Sequence, residues 1–364
     1  MSSKPAQTMA ESLNIIAAIA AKDIVDALKN KVIVSMIAML SIILLIPKLL
    51  PYIFEQSQTV VPVYAIDNSS WMADLKNIAS LSIQEVHSEQ DLKLALCNAI
   101  YPEIGLVVPA DIDQVIGTGE PVGLSGFVCW GKRHQVAELQ PKLEGVLSQS
   151  LGVPVKINLE GNIFYPPSDG VLYLSLATIN AVLLILMTGI FLVPSLIIEE
   201  KETKTMQALL VSPASISQVV VGKALAGSFY ILVSGLLIFA ITWIEVIHWD
   251  MVLLFVITSG IFSVAVGLVL GSVFDKQQDM AGWMTALLLI LIGSALIKAL
   301  GIELPAMMES ILPWVPSVAL AEIYRAAISE YFSSSQVWTY FGMILTVSLL
   351  LYVVVIVILR RSDR

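Results

Sequence analysis

The chain alternates long uncharged apolar runs with short charged breaks. The runs are Val32 to about Phe54 (with Lys48 inside), Gly170–Ile198, Ala224–Ile244, Met251–Phe274, Met280–Ile297 and a last run ending before Arg360. A helix needs roughly 20 apolar residues to cross the hydrocarbon of a bilayer. Unpaired backbone is costly in lipid, so each run is read as a helix. The pattern predicts an α-helical polytopic membrane protein with six transmembrane helices, at 32–54, 170–198, 219–247, 251–274, 280–300 and 337–360. Residues 1–31 precede them. Within this stretch Ile16, Ala20, Ile24 and Leu28, with Leu13 and Ile19 adjacent, form one apolar face, and Lys22, Asp23, Asp26 and Lys29 lie elsewhere. That predicts an N-terminal amphipathic helix, lying on the membrane surface or packed on protein.

Residues 55–169 change character and alternate strand and helix signals. Strands are predicted at Val60–Ile66, Ser82–Val86, Ile104–Val108 and Gly123–Trp130, and Val153–Leu159 leads back to the membrane. Helices are predicted at Ser70–Ile78, Glu89–Asn98 and Gln135–Leu151, with a turn at Gly117–Gly119. This is a mixed α/β extracytoplasmic domain between helices 1 and 2, large enough for its own core. Residues 301–336 are too apolar for a simple loop and are broken by Pro305, Pro313 and Pro316. They predict short external re-entrant helices, with Val318–Ile328 helical and Glu322 and Arg325 three residues apart. In the fourth run Ser263, Gly267 and Gly271 recur every four residues, the spacing that lets helices pack closely in lipid.

Composition agrees with a membrane protein: 57% of residues are hydrophobic and only 13% are charged, against about 25% charged in soluble domains. Lysines and arginines near the span ends set orientation. Lys22, Lys29, Lys31, Lys201, Lys204, Lys223, Lys276, Arg360, Arg361 and Arg364 fall on one side, and Lys298 and Arg325 in the short loops of the other. Both termini are expected in the cytoplasm, in a cell (inner or plasma) membrane, with no cleavable signal peptide. The net charge is −9, and 55–169 carries fourteen acidic and six basic residues, so most of the excess lies there. That argues against nucleic acid as a partner. The two cysteines, Cys97 and Cys129, both lie in this segment; an oxidising compartment would permit one disulfide, and two buried apolar cysteines would also fit.

Candidate chemistry is sparse. Gly126–Arg133, GFVCWGKR, matches G-x-x-x-x-G-K but has Arg133 where a phosphate loop needs Ser or Thr for magnesium. No ATP hydrolysis by this chain is expected. Glu85, His87 and Glu89 alternate on a strand end, without a metal-ligand motif. Glu245, His248 and Asp250 cluster at the outer end of the third run, where polar residues are expected. Asn180 lies inside the second run and is a candidate pathway residue or a helix–helix contact.

The remaining feature is the polar island Glu199–Lys223 between two spans. Thr203, Met206, Leu209 and Leu210 fall on roughly one helical side, with Lys201, Lys204 and Gln207 on others. Ser212-Pro213 stops the helix, because proline disfavours helical geometry in the residue before it. Ser215 or Ser217 can cap the next helix. Apolar side chains beside charges at a membrane edge suit docking of a soluble partner.

In order, Glu200-Lys201-Glu202, Thr205, Leu209-Leu210, Ser212-Pro213 and Gly222-Lys223 resemble the cytoplasmic signature of type-2 ABC transporter permeases. Lys204 departs from the family, which commonly has Gly there. The order of surface helix, one span, external domain, five spans and a proline-rich segment before the last is similar to the exporter branch. Leu312-Pro313-Trp314-Val315-Pro316 followed by Arg325 extends that likeness, and bacterial sodium-export and multidrug-export permeases are nearest. The resemblance implies a permease acting as a homodimer or with a paralogue. It implies two separate ABC ATPase subunits, which bind the ATP and magnesium, so that this chain holds no cofactor or metal and is not itself an enzyme. Residues 199–218 would then be the coupling-helix loop. Its docking residues would be Glu199, Glu200, Lys201, Glu202, Thr203, Lys204, Thr205, Met206, Leu209, Leu210, Ser212 and Pro213. A membrane-anchored ligand-binding sensor or assembly protein, and a secondary transporter, are the competing readings. The sequence does not select among sodium, a hydrophobic drug, a lipid and a peptide as cargo.

Overall fold

The computed structural model describes residues 8–29, 59–66, 71–99, 103–166, 172–202, 215–302 and 304–362, with separate positions between 31 and 45. Most of the first expected span, 32–54, and the island residues Thr203, Lys204, Thr205, Met206, Leu209, Leu210, Ser212 and Pro213 lie outside the described residues.

Helix α1 is Met9–Lys29. An α/β unit follows: β1 (Thr59–Ala65), α2 (Trp71–Lys76), β2 (Leu81–Val86), α3 (Glu89–Asn98), β3 (Gly105–Val108), α4 (Ile112–Thr118), β4 (Val122–Cys129), α5 (Arg133–Leu151), β5 (Val155–Asn158) and β6 (Ile163–Phe164). The sheet order is β2-β1-β3-β4-β5, with β6 paired to β4. β1 runs parallel to β2 and β3, β3 is antiparallel to β4, and β4 is parallel to β5 and β6. β4 alternates buried Val122, Leu124 and Gly126 with exposed neighbours, as a strand with one covered face must. Helix α4 fills a stretch without a predicted element and takes in Gly117 and Thr118 of the expected turn; Gly119, at φ 75°, ends it in the left-handed region. Gly105 lets α3 approach β3, since a Cβ there would sit 2.8 Å from the Cδ1 atoms of Leu92 and Leu96. Cys97 at the end of α3 and Cys129 at the end of β4 are disulfide-bonded, with Cα atoms 5.2 Å apart.

The rest of the chain is helical. α6 (Leu172–Met187) runs through a π turn (Thr188–Leu192) into α7 (Val193–Glu202). Pro194 gives the π turn a cause: it donates no hydrogen bond, and its ring displaces the carbonyl four residues back, Ile190. Thr188 occupies the same turn and reaches both the Leu184 carbonyl (2.7 Å) and Ser234 Oγ (3.0 Å). Next come α8 (Ile216–Thr242), α9 (Trp249–Val273), α10 (Gln277–Ala299), α11 (Ala306–Ile311), α12 (Pro316–Ile328) and α13 (Ser334–Ser362). Among the described residues five helices are long and apolar enough to cross a membrane: Ser175–Glu202, Gln218–Thr242, Trp249–Val273, Gln277–Ala299 and Ser334–Ile358. The protein is a polytopic membrane protein. Ala306–Trp314 and Pro316–Ile328 are apolar together but bend by 70° at Val315, whose successor Pro316 cannot continue the preceding turn.

α9 is the central helix, packed against α7, α8, α12 and α13. Its small-residue stripe faces the π turn and α7. A Cβ on Gly267 would lie 2.5 Å from the Gly189 carbonyl and 2.8 Å from Val193 Cβ, and one on Gly271 would lie 2.8 Å from Ile197 Cδ1. Across the same contact, a Cβ on Gly189 would lie 2.5 Å from Ser263 Cβ. Dispersion and close backbone approach hold helices together where no hydrophobic effect acts.

Candidate functional site

α7 and α8 enclose the segment 203–214, and each is fixed at its junction with it by polar contacts. These lie at the end of the bundle opposite the α/β unit. On the α8 side Ser215 is a capping residue. Its Oγ accepts from the Gln218 amide (3.3 Å), and Gln218 Oε1 accepts from the Ser215 amide (2.7 Å). This reciprocal box satisfies two otherwise orphaned donors. The Gln218 side-chain amide also donates to Ser12 Oγ of α1 (2.8 Å).

α1 runs alongside the first turns of α8. A Cβ on Gly222 would lie 2.7 Å from Ile19 Cγ2, so only glycine admits α1 at this distance. One residue later Lys223 is only 1% exposed. Its ammonium lies 2.7 Å from Glu200 Oε2 and 3.2 Å from Asp23 Oδ2, and donates to the Leu196 carbonyl at 3.3 Å. Lys22 binds the other Glu200 oxygen at 2.7 Å and lies 3.8 Å from Asp23 and 3.9 Å from Asp26. Three elements, α1, α7 and α8, thus meet in one compact cluster of alternating charge. Burial pushes the Asp23 carboxyl above its ordinary range; Lys223 opposes this and Glu200 adds to it.

The amphipathic pattern of α1 is used differently from its sequence expectation. Asp23 is buried beside Ile19, Ala20 and Ala27, whereas Leu13, Val25 and Leu28 are exposed. Leu28 therefore leaves the packed face and Asp23 joins it, because Lys223 offers Asp23 a buried partner.

On the α7 side the next two residues hold the turn between α9 and α10. Lys201 donates to the carbonyls of Ser272 (3.1 Å) and Phe274 (2.9 Å) and pairs with Asp275 (3.0 Å). A cation at a helix C-terminus meets the negative end of its dipole. Glu202 Oε1 accepts from the amide of Gln277 (3.3 Å), the first residue of α10, where the dipole favours an anion. Of the expected docking residues within the described part, Glu199 and Glu202 are exposed, while Glu200 and Lys201 turn inward. α7 also continues to Glu202, beyond the expected end of the span at 198. Asn180 is half-buried in α6, away from this cluster.

At the opposite end the α/β unit is joined to the bundle by polar contacts. The guanidinium of Arg133 stacks 3.7 Å from the Trp130 ring centroid and donates to the Ile244 carbonyl at 2.9 Å. Lys93 pairs with Glu330, whose amide donates to the Pro166 carbonyl at 3.0 Å. Lys132 donates to the Leu96 and Ala99 carbonyls at the end of α3. The GFVCWGKR run is therefore a structural joint. Glu85 pairs with Lys76 at 2.9 Å, and among the described residues no three His, Cys, Asp or Glu side chains come together as a metal site.

Burial pushes the Glu103 carboxyl up to about 7, with Lys132 opposing, and pushes the Lys132 ammonium down to about 8, with Glu103 and Glu245 opposing. A carboxyl raised in the folded state contributes stability that is complete below its unfolded value and is lost as pH rises through the folded one. The Glu103 contribution is thus lost between about pH 4.5 and 7, at no more than about 1.4 kcal/mol per pH unit. The thermal midpoint of Glu103→Gln, measured against wild type over this range, should gain on wild type as pH rises. The Lys132 contribution has the opposite slope and its window lies between about pH 8 and 10.5.

A protein-family model described as ABC-2 family transporter protein matches residues 32–358, nearly the whole chain. No individual curated protein matches it. The matched span takes in the α/β unit, the helical bundle and the island between α7 and α8, so the resemblance seen in the island extends through the fold. The chain belongs to the ABC-2 transporter family: it is a permease subunit of an ABC transporter and works with an ABC ATPase partner.

Proposed function

We propose that this permease is the membrane subunit of an ATP-driven exporter, and that the segment between α7 and α8 receives force from the ATPase. Two ATPase subunits, carrying the ATP and magnesium, would dock on two permease copies or on this chain and a paralogue. The coupling surface is formed by Glu199, Glu202 and the residues from Thr203 to Pro213, with Met206, Leu209 and Leu210 as its apolar contacts. Glu200 and Lys201 act as anchors behind it. The observation that carries this reading is the fixing of both flanks: Glu200 and Lys223 share one ion cluster, and Lys201 and Glu202 hold the α9–α10 turn. A push on the segment would therefore reach α1, α8, α9 and α10 together. Topology under this reading puts both termini in the cytoplasm and 55–169 outside, in a cell membrane. The Cys97–Cys129 bridge supports it, since disulfides persist in oxidising compartments. The family match weighs against a stand-alone sensor and a secondary transporter.

Leu209→Asp tests the docking surface. Loss of an apolar anchor is worth about 2 kcal/mol, roughly 30-fold in affinity. The variant should insert normally but no longer copurify with its ATPase. Copurification at the wild-type level, with ATP hydrolysis still coupled to transport, would remove the segment from the docking surface.

A further inference from the structure

A cavity of about 350 Å³ opens between α12 and α13, within the range of about 300–1,000 Å³ usual for small-ligand sites. Glu322 and Arg325 line it from one face of α12, and Gln336 and Tyr340, four residues apart, line it from one face of α13. Tyr331 and Phe332, in the connecting loop, complete the wall. The cavity lies at the end of the bundle that carries the α/β unit. Glu330, in the same loop, pairs with Lys93 of α3. The Ala327 carbonyl accepts from the amides of Ile247 (2.8 Å) and His248 (2.9 Å) in the α8–α9 turn. Trp243, Trp249 and Trp338 are all more than half exposed at this level, as tryptophans are at a membrane–water interface.

The wall selects first by charge. Glu322 Oε1 and Arg325 Nη1 face each other at 3.5 Å, and Arg325 makes a further interaction besides. The two charges compensate each other, and among the described lining residues no other side chain is charged. An ion entering here would give up hydration without meeting an uncompensated partner, which disfavours it. The remaining polar groups are neutral. Among the described residues, the side chains of Tyr331, Gln336 and Tyr340 form no hydrogen bond. A phenol and a carboxamide can each donate and accept. A ligand hydroxyl does both at one atom, so it can meet any of these groups in either sense. Beside them stands an aromatic surface. The Phe332 ring is set by an edge contact with His248, with centroids 5.0 Å apart, and Tyr331 is 77% exposed. The negative faces of such rings suit the slightly positive C–H side of a sugar ring.

We propose that this cavity binds a neutral, polyhydroxylated ring, that is, a sugar unit. Its hydroxyl edge lies on Gln336 and Tyr340, and its C–H side lies on the aromatic surface of Tyr331 and Phe332. The Glu322–Arg325 pair stays closed as part of the wall, and Arg325 keeps its present partners. The same chemistry is offered by the headgroup of a glycolipid and by a free sugar. The site is separate from the coupling segment and does not depend on what is exported.

The test uses the full chain, purified in a polyoxyethylene detergent so that no sugar headgroup competes. Native mass spectrometry compares retention of glucosyl-diacylglycerol, diacylglycerol and phosphatidate with identical acyl chains. A parallel thermal-shift series uses soluble methyl β-glucoside. Wild type should retain the glucolipid roughly tenfold better than either control lipid, or be stabilised by the soluble glucoside. Lipid retention without a soluble effect assigns the headgroup of a glycolipid, and a soluble effect alone assigns a free sugar. Gln336→Leu and Tyr340→Phe each remove hydrogen-bonding groups and leave Glu322 and Arg325 in place. Each should lower the wild-type preference several-fold. Equal retention of the three lipids by wild type with no soluble effect overturns the proposal, and that comparison needs no variant to fold. Phosphatidate retained above the glucolipid overturns it too, because the wall would then select an ion. A wild-type preference that neither substitution alters overturns it as well, by placing the binding elsewhere.

Discussion

Replacing Lys223 by methionine is expected to destabilise the folded permease by about 3–5 kcal/mol, the usual consequence of removing one member of a buried ion cluster. The reason lies in what remains. Glu200 and Asp23 would face each other with Lys22 as their cation, and Lys22 is half exposed whereas Lys223 is sealed among α1, α7 and α8. A second substitution separates charge imbalance from lost volume. Lys223→Met combined with Asp23→Leu keeps the Lys22–Glu200 pair at 2.7 Å and restores the net charge of the wild-type cluster. Thermal melts in detergent should show the double variant more stable than Lys223→Met alone. Additive losses would mean that the two side chains do not act as one cluster. Because the cluster joins both flanks of the proposed coupling segment, Lys223→Met should also weaken the link between ATP hydrolysis and transport in protein that still folds.

Enlarging Gly267 should have an effect of similar size at a different place. A Cβ at this position already lies 2.5 Å from the Gly189 carbonyl and 3.2 Å from Pro194 Cδ. The obstacle is backbone and a proline ring, neither of which can swing aside. Overpacking of this kind costs about 1–3 kcal/mol, and Gly267→Leu should reach the top of that range or exceed it. Gly282 and Gly293, on α10, have nothing within 4 Å of an added Cβ. Alanine at either should be neutral or slightly stabilising through better helix propensity. Thermal midpoints of the three variants check this directly. If Gly267→Leu matches the α10 variants, α9 does not pack on the π turn as described.

The membrane helices were legible because span length and absence of charge are one-dimensional properties. The runs at Gly170–Ile198, Met251–Phe274 and Met280–Ile297 each fall on a helix of the bundle. The charge cluster was not legible, because its members come from distant parts of the chain. Asp23 and Lys223 are 200 residues apart, and Lys22 and Glu200 are 178 apart. From the sequence, Asp23 sits on a polar helix face and Lys223 looks like a topological marker at a span end. Burial changes both, and a lysine beside a glycine at the start of an apolar run was the signal present. The boundary between the span and the island is blurred for a related reason. The sequence ends the apolar run at Ile198 and starts the island's amphipathic helix at Glu199, whereas α7 runs unbroken to Glu202, where Glu200, Lys201 and Glu202 each find a partner. Pro194 was a signal for the π turn, but proline alone does not say whether a helix kinks, ends or takes one wider turn.

In the proposed function the segment between α7 and α8 is the ATPase contact. Cys97 and Cys129 are joined to each other and are the chain's two cysteines, so Met206→Cys would place one reactive thiol in that segment. Cross-linking of this variant in membranes containing its ATPase is the most direct measurement. The predicted result is a permease–ATPase adduct whose yield changes when ATP is bound, with none from Ile66→Cys in the α/β unit. No adduct from Met206→Cys in a complex that still couples ATP hydrolysis to transport would contradict the account.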